Sequence, residues 1–155
     1  MCAVVGDKNS FGIEYAVQSK SKYTMGNMRL WLEGRYIGAF DDVNILTSTL
    51  MILEILSPEF VDSDEFVGMD SEQIYEHIKA DGNYDGDRFY FTPGEAFDDF
   101  SIVVYSQGGY FNFIWKLHDD PYFQYPDYPK GIQSAQVSVD EFCKVVTEFK
   151  KIILG

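Results

Sequence analysis

Apolar and polar positions alternate through Phe11, Gly12, Ile13, Glu14, Tyr15, Ala16, Val17 and Gln18, a period of two that predicts a half-buried β-strand. Met28, Leu30 and Leu32 alternate in the same way with Arg29, Trp31 and Glu33, and Gly34 offers a tight turn into Arg35-Tyr36-Ile37-Gly38-Ala39-Phe40. That pair reads as a hairpin. The period then lengthens: Ile45, Leu46, Leu50, Leu53 and Leu56 recur at helical spacing until Ser57-Pro58 stops the run, and Asp41 and Asp42 stand where a helix cap belongs. So few polar residues interrupt this helix that a central position is expected. Ser71, Glu72, Gln73, Ile74, Tyr75 and Ile78 predict a shorter, more exposed helix running to Lys79, closed by Asp81-Gly82.

From Asp87 onward the pattern is extended again. Phe89-Tyr90-Phe91 reads as strand, Pro93-Gly94 as a turn, and Ser101-Ile102-Val103-Val104-Tyr105 as a second strand. Gln107-Gly108-Gly109 joins that strand to the run from Tyr110 through Trp115 to Leu117, the strongest hairpin signal in the chain. Segment 119–130 carries Pro121, Pro126 and Pro129 among four aromatic residues, which excludes a regular helix or a central strand and leaves an ordered, ring-rich loop. Positions 132–137 predict one more strand. Ser138-Val139-Asp140-Glu141 then forms a capping box, and Phe142, Val145, Val146, Phe149, Ile152 and Ile153 line one face of a closing helix. Antiparallel hairpins with helices gathered rather than alternating indicate an α+β fold, an antiparallel sheet of hairpins with two or three packed helices including the C-terminal one. The 155 residues fit a single domain spanning 1–155, with no repeat or linker.

Charge changes the picture. Residues 59–129 hold 16 acids against Lys79, Arg88 and Lys116, and so carry the whole net charge of −13, while both flanks are close to neutral. A field of one sign repels nucleic acid and anionic lipid and attracts basic partners. With 46% hydrophobic and 17% aromatic residues, this acidic stretch should be folded rather than a solvated tail. The bland explanation, a surface charge that serves solubility alone, stands beside the functional one.

Cys2 and Cys143 lie at opposite ends, offering neither a metal spacing nor a disulfide framework, which suits a reducing cytoplasm; Cys143 falls among core positions. No basic-then-apolar leader precedes the fold, and the apolar run near Leu50 is broken by Glu54 and too short for a membrane span. Asp81-Gly82-Asn83-Tyr84-Asp85-Gly86-Asp87 matches the front of a calcium loop, but Thr92 replaces the bidentate glutamate and strand replaces the exit helix, so a turn is favoured over a cation site. Zinc lacks paired ligands in His77, His118, Cys2 and Cys143. His118-Asp119-Asp120 contains the residue types of an acid–base set, yet neighbours on a strand point to opposite faces and the triplet reads as a strand running into a turn. No nucleophile elbow, phosphate loop or dinucleotide fingerprint occurs, so an enzyme has no motif here and no cofactor is implied.

What remains is a set of carboxylates and rings, Glu95, Asp98, Asp99, Asp119, Asp120, Tyr122, Tyr125, Asp127 and Tyr128, with Trp115 and Phe123 among them in sequence. Tyrosines give large contact area at low entropic cost, and carboxylates around them pair with Lys or Arg of a partner, so these nine are the candidate protein-binding residues, with Glu95 at the rim.

The run Pro93-Gly94-Glu95-Ala96-Phe97-Asp98-Asp99-Phe100, the strand Phe113-Ile114-Trp115-Lys116-Leu117, and Tyr128-Pro129-Lys130-Gly131 before a strand and closing helix carry a resemblance. Together with Phe11-Gly12-Ile13-Glu14 and the Trp31 to Gly38 hairpin, they make the chain similar to bacterial immunity proteins of polymorphic toxin and contact-dependent growth inhibition systems. The resemblance implies a small cytoplasmic antitoxin that binds the C-terminal toxin domain of one effector and blocks it without catalysis. It carries no catalytic residue over. A toxin of nuclease type, with a basic cleft, would suit the acidic surface. Two other readings stay open: a cation-binding module built on the loop from Asp81 to Asp87, and a nucleic-acid mimic that inhibits some other basic protein.

Overall fold

The computed structural model describes residues 2–80 and 84–155. Strands β1 (Ala3–Gly6), β2 (Phe11–Lys20), β3 (Thr24–Leu32) and β4 (Arg35–Ile37) form an antiparallel meander, and the two-residue β5 (Asn44–Ile45) pairs with the start of β3. Helices α1 (Leu46–Ile55), α2 (Pro58–Val61) and α3 (Ser71–Lys79) follow, and then β6 (Phe100–Gln107), β7 (Tyr110–Leu117) and β8 (Gln133–Ser138) make a second antiparallel sheet in the order 6-7-8. Helix α4 (Val139–Leu154) ends the chain. The α+β class holds, with the hairpins divided between two sheets.

Alternation fixes which residues face the core. Opposite partners in an antiparallel ladder share a face, so Phe11 with Leu32, and Ile13 with Leu30 and Ile37, lie on one side of the first sheet, all fully buried. On the second sheet Val104, Phe113 and Ala135 share a face likewise. Phe142 of α4 closes the gap, its ring 4.9 Å from Phe11 and 5.0 Å from Phe111. The two sheets are also tied at their edges. Glu33, at φ 50° in the β3–β4 turn, accepts a 2.6 Å hydrogen bond from the backbone N–H of Gln136, and Arg35 donates to the Ser134 carbonyl at 2.5 Å. These side chains satisfy the open edge of β8. The β6–β7 turn needs two positive-φ residues, which Gly108 (61°) and Gly109 (82°) supply.

Five local expectations change. Asp41 and Asp42 do not cap α1: residues 44 and 45 pair with Gly26 and Met25, which delays the helix to Leu46 and leaves Ile45 as a cap without a side-chain bond. Helix α1 is not central, because Met51 and Ile55 face outward. Phe89-Tyr90-Phe91 is not a strand: a 3-10 turn spans Tyr84–Phe89, and Tyr90 makes one isolated bridge to Val103. Cys143 and Ile152 are exposed, as α4 turns Phe142, Val145, Val146, Phe149 and Ile153 inward. At the start of α4, Ser138 Oγ accepts from the Glu141 amide at 3.0 Å, while the Glu141 carboxylate turns to the Ser10 hydroxyl. Helix α3, in contrast, starts in a complete capping box between Asp70 and Gln73.

No helix among the described residues is long and apolar enough to cross a membrane.

Candidate protein-binding surface

The proline-broken segment between β7 and β8 has no regular structure, yet several of its backbone and tyrosine polar groups are partnered. Its first residue is pinned twice: the His118 N–H donates to the Asp99 carbonyl at 2.8 Å, and the ring Nε2 lies 2.9 Å from Ser101 Oγ. The imidazole therefore fastens a strand end, at the wall of the cleft that Asp119 and Asp127 border. Beside it, the Asp99 carboxylate accepts three hydrogen bonds, from the backbone N–H groups of Tyr122 (2.8 Å) and Phe123 (3.0 Å) and from the Tyr125 hydroxyl (2.8 Å). Burial alone would raise the pKa of Asp99, but these donors, with the nearby His118, hold its carboxyl below the usual range. Tyr125 responds in the opposite sense. Burial, followed by its bond to Asp99, pushes its phenol far up, so the hydroxyl stays a donor.

Tyr128 is held from three sides. Its oxygen accepts from Trp115 Nε1 at 2.8 Å and donates to the Tyr36 carbonyl at 2.5 Å, while its ring meets Tyr36 and Phe100 edge-on at 5.2 and 5.5 Å. Tyr125 packs on Phe100 at 5.1 Å. Tyr36 continues this ring cluster onto the outer face of the first sheet, where Arg29 sits over its ring at 4.5 Å and donates to Glu14 at 2.8 Å. Glu14 is buried despite facing away from the core, because the Arg29, Trp31 and Tyr36 side chains roof that face. Burial works against ionisation of Glu14, yet the bonds from Arg29 and Trp31 keep its carboxyl below the ordinary value.

The nine candidates fall into three groups. Asp98, Asp119, Asp120, Asp127 and Tyr122 are exposed, Tyr122 at 87%. Asp99, Tyr125 and Tyr128 are partly buried and act from beneath, fixing the backbone that displays the others. Glu95 stands apart, against Thr49 and Ile52 in a groove beside α1. Asp119 and Asp127 border one cleft of about 620 Å³, to which Lys116, Lys130 and the Tyr125 and Tyr128 rings also contribute. Sequence reasoning put Trp115 among the rings of this set without assigning it a contact, and missed Tyr36 and the two lysines. Tyr36 sits on a strand far from the loop in sequence, and nothing local marks it as a support.

Among the described residues, no group of three or more His, Cys, Asp or Glu side chains is placed to hold a metal ion. The calcium-like motif from Asp81 to Asp87 begins at 81–83, outside the described residues.

The family model for Immunity protein 42 matches residues 1–152. No curated protein matches the chain. Among solved structures, the crystal structure of CdiI from Burkholderia dolosa AUO158 is similar, with a TM-score of 0.66 and 15% identity over 96% of this chain and 99% of that one. At that identity the likeness is one of fold.

Proposed function

The chain belongs to the Immunity protein 42 family, so its function is immunity, and we propose that it neutralises one toxin by stoichiometric, non-catalytic binding of that toxin's C-terminal domain in the cytoplasm. The contact surface is the loop between β7 and β8 with the adjoining Asp98, and the partner surface is basic, as in a nuclease cleft. The observation that carries this reading is the division of labour in the loop: Asp99, Tyr125 and Tyr128 satisfy its interior, leaving Asp98, Asp119, Asp120, Asp127 and Tyr122 free to face a partner. Carboxylates set on an already ordered backbone steer a cationic partner and lose little entropy on binding. Glu95, on the separate groove beside α1, is left out of the proposed surface.

The test uses the toxin domain encoded beside this chain's gene, inactivated in its catalytic residues. A one-to-one complex should form, with an association rate that falls steeply as salt rises, since attraction between exposed charges is screened. Replacing Asp119 and Asp120 by Ala should slow association while leaving the melting temperature within about 2 °C of wild type, since exposed substitutions change stability little. Failure of the wild-type protein to bind this domain would overturn the reading.

A further inference from the structure

Helix α1 carries large apolar side chains outward as well as inward: Leu46, Leu50 and Leu53 are buried, yet Met51 and Ile55 remain 65% and 75% exposed. A helix of that pattern is normally enclosed. Here the outward side continues into Phe60 of α2, 62% exposed, and Ile52, Ile55, Leu56 and Phe60 face Tyr90 and Phe91 across a groove of about 290 Å³. Scattered exposed apolar residues are ordinary, but a contiguous patch with a groove marks an interaction site.

Charge selects the occupant. Residues 36–78 contain ten Asp and Glu and no Lys or Arg, and Glu54, Glu59 and Asp62, all exposed, alternate with the apolar residues of the patch. The cations nearby come from elsewhere: Arg88 lines the groove 3.9 Å from Glu65, and Lys150 of α4 lies 3.0 Å from Glu54. A second copy docking here would set these acidic rims against each other. An apolar side chain ringed by Lys or Arg fits both features.

The groove is also distinct from the loop surface. Ser106, which binds the Pro58 carbonyl and bridges to Asp62, and Val103, which bridges to Tyr90, set the groove along the hairpin half of β6, whereas Asp99 and Phe100 are at the other end, roughly 10–20 Å away at the rise of a strand. One standard-sized interface spans that distance. We propose that the α1–α2 groove is a second contact for the same toxin domain, seating an apolar side chain flanked by basic residues and setting the lifetime of the complex, while the loop sets its rate of formation. This rests on the toxin-binding reading above.

The test is the double variant Ile55→Ser and Phe60→Ser, which leaves the net charge unchanged, with Phe60→Ser alone as the milder form should the double variant fail to fold. Binding to the inactivated toxin domain is followed by surface plasmon resonance, and the free protein by analytical ultracentrifugation. Dissociation should accelerate by about tenfold or more with association nearly unchanged, the reverse of the Asp119 and Asp120 replacement. If wild type binds but dissociation from Phe60→Ser and from the double variant matches it, the groove is not a contact and this proposal alone is overturned. A wild-type dimer abolished by Phe60→Ser would assign the groove to a second copy, with the same consequence. No binding by wild type would instead remove the toxin-binding reading on which the proposal stands.

Discussion

Replacing Asp99 by Asn keeps the shape of the side chain and removes its charge, which isolates what the carboxylate does for the loop. In the native protein Oδ1 accepts the Tyr122 amide at 2.8 Å, and Oδ2 accepts both the Phe123 amide and the Tyr125 hydroxyl. An Asn amide preserves the first bond. Its NH₂ group meets the Tyr125 oxygen once that hydroxyl turns, but it cannot accept from Phe123, whose N–H loses its partner. Hydrogen bonds to a charged group contribute about 1.5–3 kcal/mol net, so one bond lost and one weakened should destabilise the fold by about 2 kcal/mol. For a chain of this size that lowers the melting temperature by roughly 4–8 °C. Asp98→Asn is the control: its side chain is exposed, and a change there should stay within about 0.5 kcal/mol.

Acidification gives an independent reading of the same group. The folded pKa of Asp99 lies below the ordinary value of 3.8, so the unfolded chain takes up its proton first as pH falls. The stability contributed by this carboxylate is therefore present in full above the unfolded value and is lost as pH drops through the lower, folded one. Thermal melts followed by circular dichroism should show wild type and Asp99→Asn well separated at pH 7 and converging below about pH 3.8. Equal melting temperatures for Asp98→Asn, Asp99→Asn and wild type at pH 7, or a gap that persists unchanged at pH 3, would refute the assignment of Asp99 as the loop's anchor.

Two further substitutions separate support from display. Tyr128→Phe removes the oxygen that accepts from Trp115 Nε1 and donates to the Tyr36 carbonyl, so an indole donor is left unpaired in the core; thermal denaturation should report a loss of about 1–3 kcal/mol. Asp127 has φ 58°, a left-handed conformation that Asn tolerates and Ala does not. Asp127→Asn should therefore keep the melting temperature while reducing the salt dependence of toxin association, whereas Asp127→Ala should lower the melting temperature as well.

Where a segment's apolar period matched its tertiary surroundings, the fold was legible from sequence. The alternation from Phe11 became β2, the Gly108-Gly109 pair became the β6–β7 turn, and the spacing from Phe142 to Ile153 became the buried face of α4. The misreadings occur where a distant partner decided the outcome. Asp41 and Asp42 look like caps, but pairing of Asn44 with Gly26 holds the backbone extended past them. Phe89 and Phe91 bury alternate rings as a strand would, against Phe66 and Phe113, yet a ladder partner exists for Tyr90 alone. The candidate surface divides in the same way. Its acids were visible as a charge excess, but three tyrosines in one proline-rich loop look alike until Trp115 and Tyr36 select Tyr128, and Asp99 selects Tyr125, for the interior.

That selection bears on how the proposed acidic surface would bind a partner. A segment of this length without helix or strand is costly to order, at about 1–2 kcal/mol per residue of backbone entropy, and a loop that ordered only on contact would spend much of its interaction energy doing so. Here the cost is met during folding. The Asp99 carboxylate, the Tyr128 hydroxyl and the packed rings fix the loop before any partner arrives. The exposed acids then act from a rigid frame, in which their mutual repulsion is also already accommodated by the fold. In the proposed complex a basic partner would relieve that repulsion as it docked, so the charge excess that weakens the free protein would strengthen the complex. On this account, mutations beneath the surface, at Asp99 or Tyr128, should weaken toxin binding through disorder of the loop, and removal of surface charges should weaken it with the loop intact.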